Sequence, residues 1–171
     1  YQYMEAVREI LQERNSELFL LVQESRMTEA DREAFLAEFS VKREESLAAL
    51  CVMGGIFSEG IDLTGDQLIG VLIIGTGLPQ VCTEREILKQ YFNAADMDGF
   101  DYAYLYPGMN KVLQSAGRVI RTESDRGVIL LLDDRFREMR YREVFPREWQ
   151  QYQLGSVKNL EQEIRTFWES P

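Results

Sequence analysis

The sequence contains no histidine. The side chain that most often works as a general base near neutral pH, and most often ligates a metal, is therefore missing. Cysteine is scarce too: Cys51 and Cys82 stand far apart with no C-x-x-C spacing. That pattern excludes a disulfide framework or a zinc ribbon and fits a reducing, cytoplasmic setting. No long hydrophobic run exists either. The longest apolar stretch, Leu68 to Pro79, is too short and too broken by glycine to span a bilayer. The opening residues "YQYMEAVREI" are charged and amphipathic, unlike a secretory signal, so no membrane association is expected. Positive charge is in short supply: 19 Lys and Arg stand against 29 Asp and Glu, for a net charge of −10 and an isoelectric point near 4.6. A bulk field of that sign repels nucleic acid, so any phosphate contact has to come from a local basic patch.

What is present suits one compact domain. At 171 residues, 45% hydrophobic and 28% charged, the chain reads as a single unit over 1–171. Apolar runs at Leu18–Gln23, Ser46–Met53, Leu68–Gly75 and Val128–Asp133 have strand length. Helical spacing marks Met4–Leu11, Glu84–Ala95 and Glu161–Trp168, and Thr28 with Asp31 reads as a capping box opening a helix to about Phe39. Asn93 to Tyr104 reads as loop, after which Pro107 suits the first turn of a helix carrying Lys111 to Arg121. Wholly apolar strands alternating with helices predict a mainly parallel sheet with helices on both faces, an α/β three-layer domain. In such sheets the loops leaving the carboxyl ends of strands carry function.

Two constellations stand out. In "QSAGRVIR", Gln114, Gly117, Arg118 and Arg121 fall at i, i+3, i+4 and i+7, one face of a continuous helix. A glycine inside a helix costs roughly 1 kcal/mol relative to alanine, which makes sense where something approaches closely. Two guanidiniums and an amide form a donor surface suited to phosphate oxygens. The plainer alternative is a solvated face whose arginines pair with acids such as Glu123. The second constellation is "GGIFSEGID", the loop after the Ser46–Met53 strand. Gly54, Gly55 and Gly60 permit close backbone approach, and Glu59 and Asp62 offer acceptors for a ribose hydroxyl, an arginine or a water. By itself a glycine-rich loop of this kind is also an ordinary strand-to-helix connection.

Together, in this order, the two elements resemble motifs V and VI of superfamily 2 helicases, and more closely those of the XPD/DinG branch. The resemblance rests on Ser58–Leu63, Gln114–Arg121, Asp125-Arg126-Gly127 and Asp133-Asp134-Arg135-Phe136, with "GLPQVCTEREILKQYF" after motif V; it covers Leu36 to Trp149. It implies a C-terminal RecA-like motor domain of an ATP-dependent DNA helicase, with ATP bound between this domain and an N-terminal RecA-like domain of the same polypeptide. Arg121 is then the arginine finger on the γ-phosphate. Arg118 assists, Gln114 orients the attacking water, and Glu59, Gly60, Asp62 and Gly117 border the nucleotide. Gly54 stands where many superfamily members place a threonine that touches the nucleic-acid backbone. The resemblance further implies Mg2+, held mainly by the N-terminal domain, and allows an iron–sulfur cluster in the full-length protein but not in this chain.

No G-x-x-x-x-G-K-[ST] phosphate loop and no D-E-x-H acid box occur in the sequence. The expectation is therefore half of a motor, beginning within or just after motif IV, one strand short of the family sheet and inactive alone. Single-stranded DNA is the implied track. Ser58, Phe57, Arg135 and Arg137 are the expected contacts, with Tyr102, Tyr104 and Tyr106 as further stacking surfaces and Arg140 and Arg142 extending the basic run. Each has a plain alternative: core or rim packing for the aromatics, a solvated helix face for the arginines. A catalytically silent RecA-like module that mediates protein interaction is the rival reading. A Rossmann-type enzyme lacks its G-x-G-x-x-G.

Overall fold

The structure, a computed structural model, describes residues 1–15, 17–55, 57, 63, 65–120, 122 and 125–170. Strands β1 (Phe19–Val22) and β2 (Leu47–Leu50) pair in parallel, Phe19 opposite Leu47 and Val22 opposite Leu50. Strands β3 (Gly70–Ile74) and β4 (Val128–Leu132) do the same, Gly70 opposite Val128. The described strands thus form two parallel pairs, β1-β2 and β3-β4. Parallel neighbours need crossover connections, and helices supply them. Helix α1 (Gln2–Arg14) precedes β1, and α2 (Glu29–Ala37) links β1 to β2. Helices α3 (Thr83–Ala94) and α4 (Tyr106–Ala116) lie between β3 and β4, and α5 (Met139–Arg142) and α6 (Leu160–Glu169) follow. No described helix is long and apolar enough to cross a membrane.

Local chemistry accounts for the boundaries. At α2 the capping box forms: Thr28 Oγ1 accepts from Asp31 N at 3.2 Å, and Asp31 Oδ2 accepts from Thr28 N at 2.8 Å. The segment expected as loop, Asn93 to Tyr104, differs. Asp98 Oδ1 accepts from Phe100 N at 2.9 Å and Asp101 N at 3.2 Å, starting a helix. It continues as a π-helical turn over Asp101–Leu105 and runs directly into α4.

The core sits beneath α4. Leu105, Met109 and Val112 are fully buried and cluster with Ile73, Ala116, Phe136 and Tyr141. Burying each of the large apolar side chains is worth about 1.5–3 kcal/mol. The pleat gives β3 two unlike faces: Ile73 is buried in this core, whereas Leu72 and Ile74 remain 63% and 46% exposed.

Candidate functional site

Helix α4 is the element that organises the candidate site, and α3 anchors its start. Pro107 has no N–H, so the carbonyl of Ala103, four residues back, lacks its α-helical donor. Arg85 on α3 donates to that carbonyl through Nη1 at 2.7 Å. One residue further along each helix, the hydroxyl of buried Tyr104 donates to Glu86 Oε1 at 2.6 Å. That bond holds the Glu86 carboxyl below its ordinary range, and it pushes the Tyr104 phenol up to about 12.

Close backbone approaches then fix the loops at the carboxyl ends of β2 and β3 against α4. Gly77, in the loop leaving β3, has φ +65°, and a Cβ there would lie 2.9 Å from Gly108 O and 3.0 Å from Met53 Sδ. Gly54, in the loop leaving β2, has φ +76°, and a Cβ there would lie 3.0 Å from Lys111 Cδ. Only glycine combines that conformation with that proximity. Buried Gln23, just past β1, steadies the same loop, its Oε1 accepting from Val52 N at 2.9 Å. Gln23, Arg85 and Lys111 escaped the sequence reading. Only Pro107, with its missing donor, hinted that a partner such as Arg85 was required.

The expected residues fall as follows. Gln114 is exposed in the last turn of α4, Gly117 is exposed just beyond it, and Arg118 is half-buried. The expectation of one continuous helix through Arg121 is corrected, because α4 ends at Ala116. There the bonds tighten: Arg118 N donates to Ser115 O at 3.3 Å and Val119 N to Ala116 O at 3.1 Å, both three residues back. Gly117 is therefore a helix-terminating glycine, not an interior one. Arg121, Ser58, Glu59, Gly60 and Asp62 lie outside the described residues.

The aromatic and basic expectations divide. Phe57 is 5% exposed and stacks on Phe35 at 4.3 Å, so its ring belongs to the core and offers no face to a base. Tyr104 is likewise buried, while Tyr102 and Tyr106 are partly exposed and meet edge to face at 5.2 Å. Arg135 is not an open cation: Nε and Nη2 grip both carboxylate oxygens of Asp133 at 2.8 and 2.7 Å. The hydrogen bonds from Arg135 hold the Asp133 carboxyl below its ordinary range. Arg140 bridges Asp98 and Asp101 at 2.6 Å each. Arg137 is exposed, with no ion pair among the described residues. Arg126 donates to the carbonyls of Phe167 and Ser170 at 2.7 and 2.8 Å, tying down the end of α6.

The family described as the helicase C-terminal domain matches residues 1–152. This chain belongs to that family. Among curated relatives, the helicase C-terminal domain described here is 38% identical over 89 residues to the ATP-dependent DNA helicase DinG of Photobacterium profundum, covering 51% of this chain and 13% of that one. It is 32% identical over 120 residues to the XPD helicase subunit of the general transcription and DNA repair factor IIH of Schizosaccharomyces pombe, covering 65% and 14%. It is also 32% identical over 104 residues to a probable ATP-dependent helicase of Methanocaldococcus jannaschii, covering 56% and 16%. The chain thus spans 13–16% of the length of these relatives. A solved XPD helicase structure matches with a TM-score of 0.57 at 21% identity, covering 84% of this chain and 25% of that one. The fold is accordingly the RecA-like α/β layer, and the domain is of the XPD/DinG type.

Proposed function

We propose that this domain is the second motor half of an ATP-dependent DNA helicase and completes an ATP site at its boundary with an N-terminal RecA-like domain of the same polypeptide. The observation that carries the reading is the contact between the glycine loop after β2 and the helix bearing Gln114, where Gly54 lies against Lys111. That contact sets the loop leaving the carboxyl end of β2 against α4, and the carboxyl ends of parallel strands are where α/β folds bind ligands.

In this reading Arg121 stabilises charge on the equatorial oxygens of the transferring phosphoryl group, a contribution of about 10³–10⁵ in rate for arginine fingers. Arg118 assists, and Gln114 orients the attacking water. Glu59, Gly60, Asp62 and Gly117 border the nucleotide. Among the described residues no group of three or more Cys, Asp or Glu is placed to hold a metal ion. The family resemblance assigns Mg2+ mainly to the N-terminal domain, together with any iron–sulfur cluster of the full-length protein, and the isolated chain is expected to be inactive. Single-stranded DNA is the proposed track, with Ser58 and exposed Arg137 as the contacts retained. Phe57 and Arg135 are spent within the domain.

The test is steady-state ATP hydrolysis by the full-length protein with single-stranded DNA present. Arg121→Ala should reduce turnover by about 10³-fold or more while weakening ATP binding much less. Arg121→Lys should recover little, because an ammonium lacks the planar fork. Undiminished turnover in Arg121→Ala sinks the finger assignment.

A further inference from the structure

Lys111, beside the loop leaving β2, is a cation that neither family motif includes. It lies on α4 three residues before Gln114, the spacing of one helix face. Its side chain runs across the loop leaving β2. A Cβ on Gly54 would stand 3.0 Å from Lys111 Cδ, 3.1 Å from Cε and 3.4 Å from Nζ. The distal part of the stem therefore lies beside Gly54, and the residue is half-buried.

Its charge is not compensated in the usual way. Arg43, Arg135 and Arg140 each meet a carboxylate at 2.6–2.7 Å, and Arg140 meets two. Among the described residues Lys111 meets none, although the chain carries ten more acids than bases. A lysine that merely snorkels to solvent keeps a mobile stem over whatever apolar surface is nearby. Here the stem lies instead against a backbone position whose φ of +76° and lack of a side chain make room for it. An ammonium held in that way beside the loop at the carboxyl end of β2, with no acidic partner among the described residues, is a ready point charge for a phosphate oxygen.

We propose that Lys111 is a phosphate-contact residue of the site between the β2 exit loop and α4. The inference rests on the nucleotide- and DNA-binding reading above. The phosphate belongs either to the nucleotide or to the DNA strand, and the two sources are separable by experiment.

The experiment measures equilibrium binding by the full-length protein of two probes, a non-hydrolysable ATP analogue and a fluorescent oligothymidine, at several salt concentrations. Lys111→Met keeps the stem and removes the charge; Lys111→Arg keeps the charge. Lys111→Met should weaken one probe by about tenfold or more, the loss expected for one hydrogen bond to a charged group, and Lys111→Arg should restore most of it. Loss confined to the nucleotide identifies a nucleotide phosphate. Loss confined to the oligonucleotide, with a salt slope shallower by about 0.7, identifies a strand phosphate. Both probes bound by Lys111→Met within about twofold of the parent overturns the proposal, since a lost charge-assisted bond exceeds that. So does a parent protein that binds neither probe, or equal losses in Lys111→Met and Lys111→Arg with lowered melting temperatures, which mark a packing role. A parent that binds ATP without hydrolysing it sinks the hydrolase reading alone and leaves the Lys111 comparison intact.

Discussion

Replacing Gly127 with alanine tests whether the Asp125-Arg126-Gly127 segment sets the position of the residues that follow α4. A Cβ on Gly127 would overlap Val119 Cγ1 and stand 3.1 Å from the carbonyl oxygen of Ile69. That carbonyl accepts from Val128 N at 3.0 Å as the β3-β4 ladder begins, so it cannot retreat without loosening the pairing. Val119 is 3% exposed and β-branched, so it has little rotameric freedom with which to yield. Overpacking of this kind costs about 1–3 kcal/mol. In a domain of this size each kcal/mol moves the melting temperature by about 2–4 °C, which puts the fall at roughly 2–12 °C. Relief by displacement of Val119 would drag its neighbour Arg118, so hydrolysis by the full-length protein should fall alongside stability. Thermal and urea unfolding of Gly127→Ala, Val119→Ala and the double variant form the assay. Shortening Val119 removes the methyl that collides, so the double variant should lose less than the sum of the singles, by about 0.5–3 kcal/mol. An unchanged melting temperature in Gly127→Ala, or strict additivity in the double variant, would refute the reasoning.

Arg85→Met should destabilise the domain by about 1–3 kcal/mol in urea unfolding, because it takes a charged donor from the carbonyl of fully buried Ala103 beside a proline that cannot replace it; a neutral result would show that the carbonyl is satisfied without it. Tyr104→Phe should flatten both limbs of the stability–pH profile. Glu86 is depressed in the folded protein from 4.5, so its contribution is present above that value and lost as pH falls through the lower folded one. Tyr104 is raised from 10.0 to about 12, so its contribution is full below 10 and lost as pH rises towards 12. Unfolding free energies measured across both ranges check this, and profiles superimposable on the parent's would contradict it.

The parallel strands and most helices were legible because each rests on a local signal: apolar runs bounded by turns for the strands, Thr28 with Asp31 for α2. The helical start at Asp98 was legible in principle, since an aspartate two residues before Phe100 and the large apolar side chains that follow is a capping signal, but the surrounding Asp96 and Gly99 read more strongly as loop. The end of α4 was not legible in the same way. A helix face computed at 100° per residue assumes that the register persists, and nothing in "QSAGRVIR" alone states that the bonds shorten after Ala116. The ion pairs of Arg135 and Arg140 show the same limit. Their spacing described a basic run, whereas the partners Asp133, Asp98 and Asp101 are set by turns and tertiary contact.

The consequence for the candidate site is that α4 acts as its frame. Three positions along this segment meet three different loops through a missing side chain: Gly108 meets Gly77 after β3, Lys111 meets Gly54 after β2, and Val119 meets Gly127 before β4. The backbone-on-backbone contact of Gly77 with Gly108 leaves little slack, because neither partner has a rotamer to adjust. A displacement of α4 must therefore move the β3 exit loop with it or break core packing around Met109 and Val112. The proposed interdomain motor would use that stiffness. If the nucleotide is sensed by residues on and just beyond this helix, and the strand by the loop after β2, the two readouts are joined by one rigid body rather than by a chain of flexible side chains. The glycines are then the part of the sequence that makes coupling mechanically possible, and the arginines are the part that gives it something to respond to.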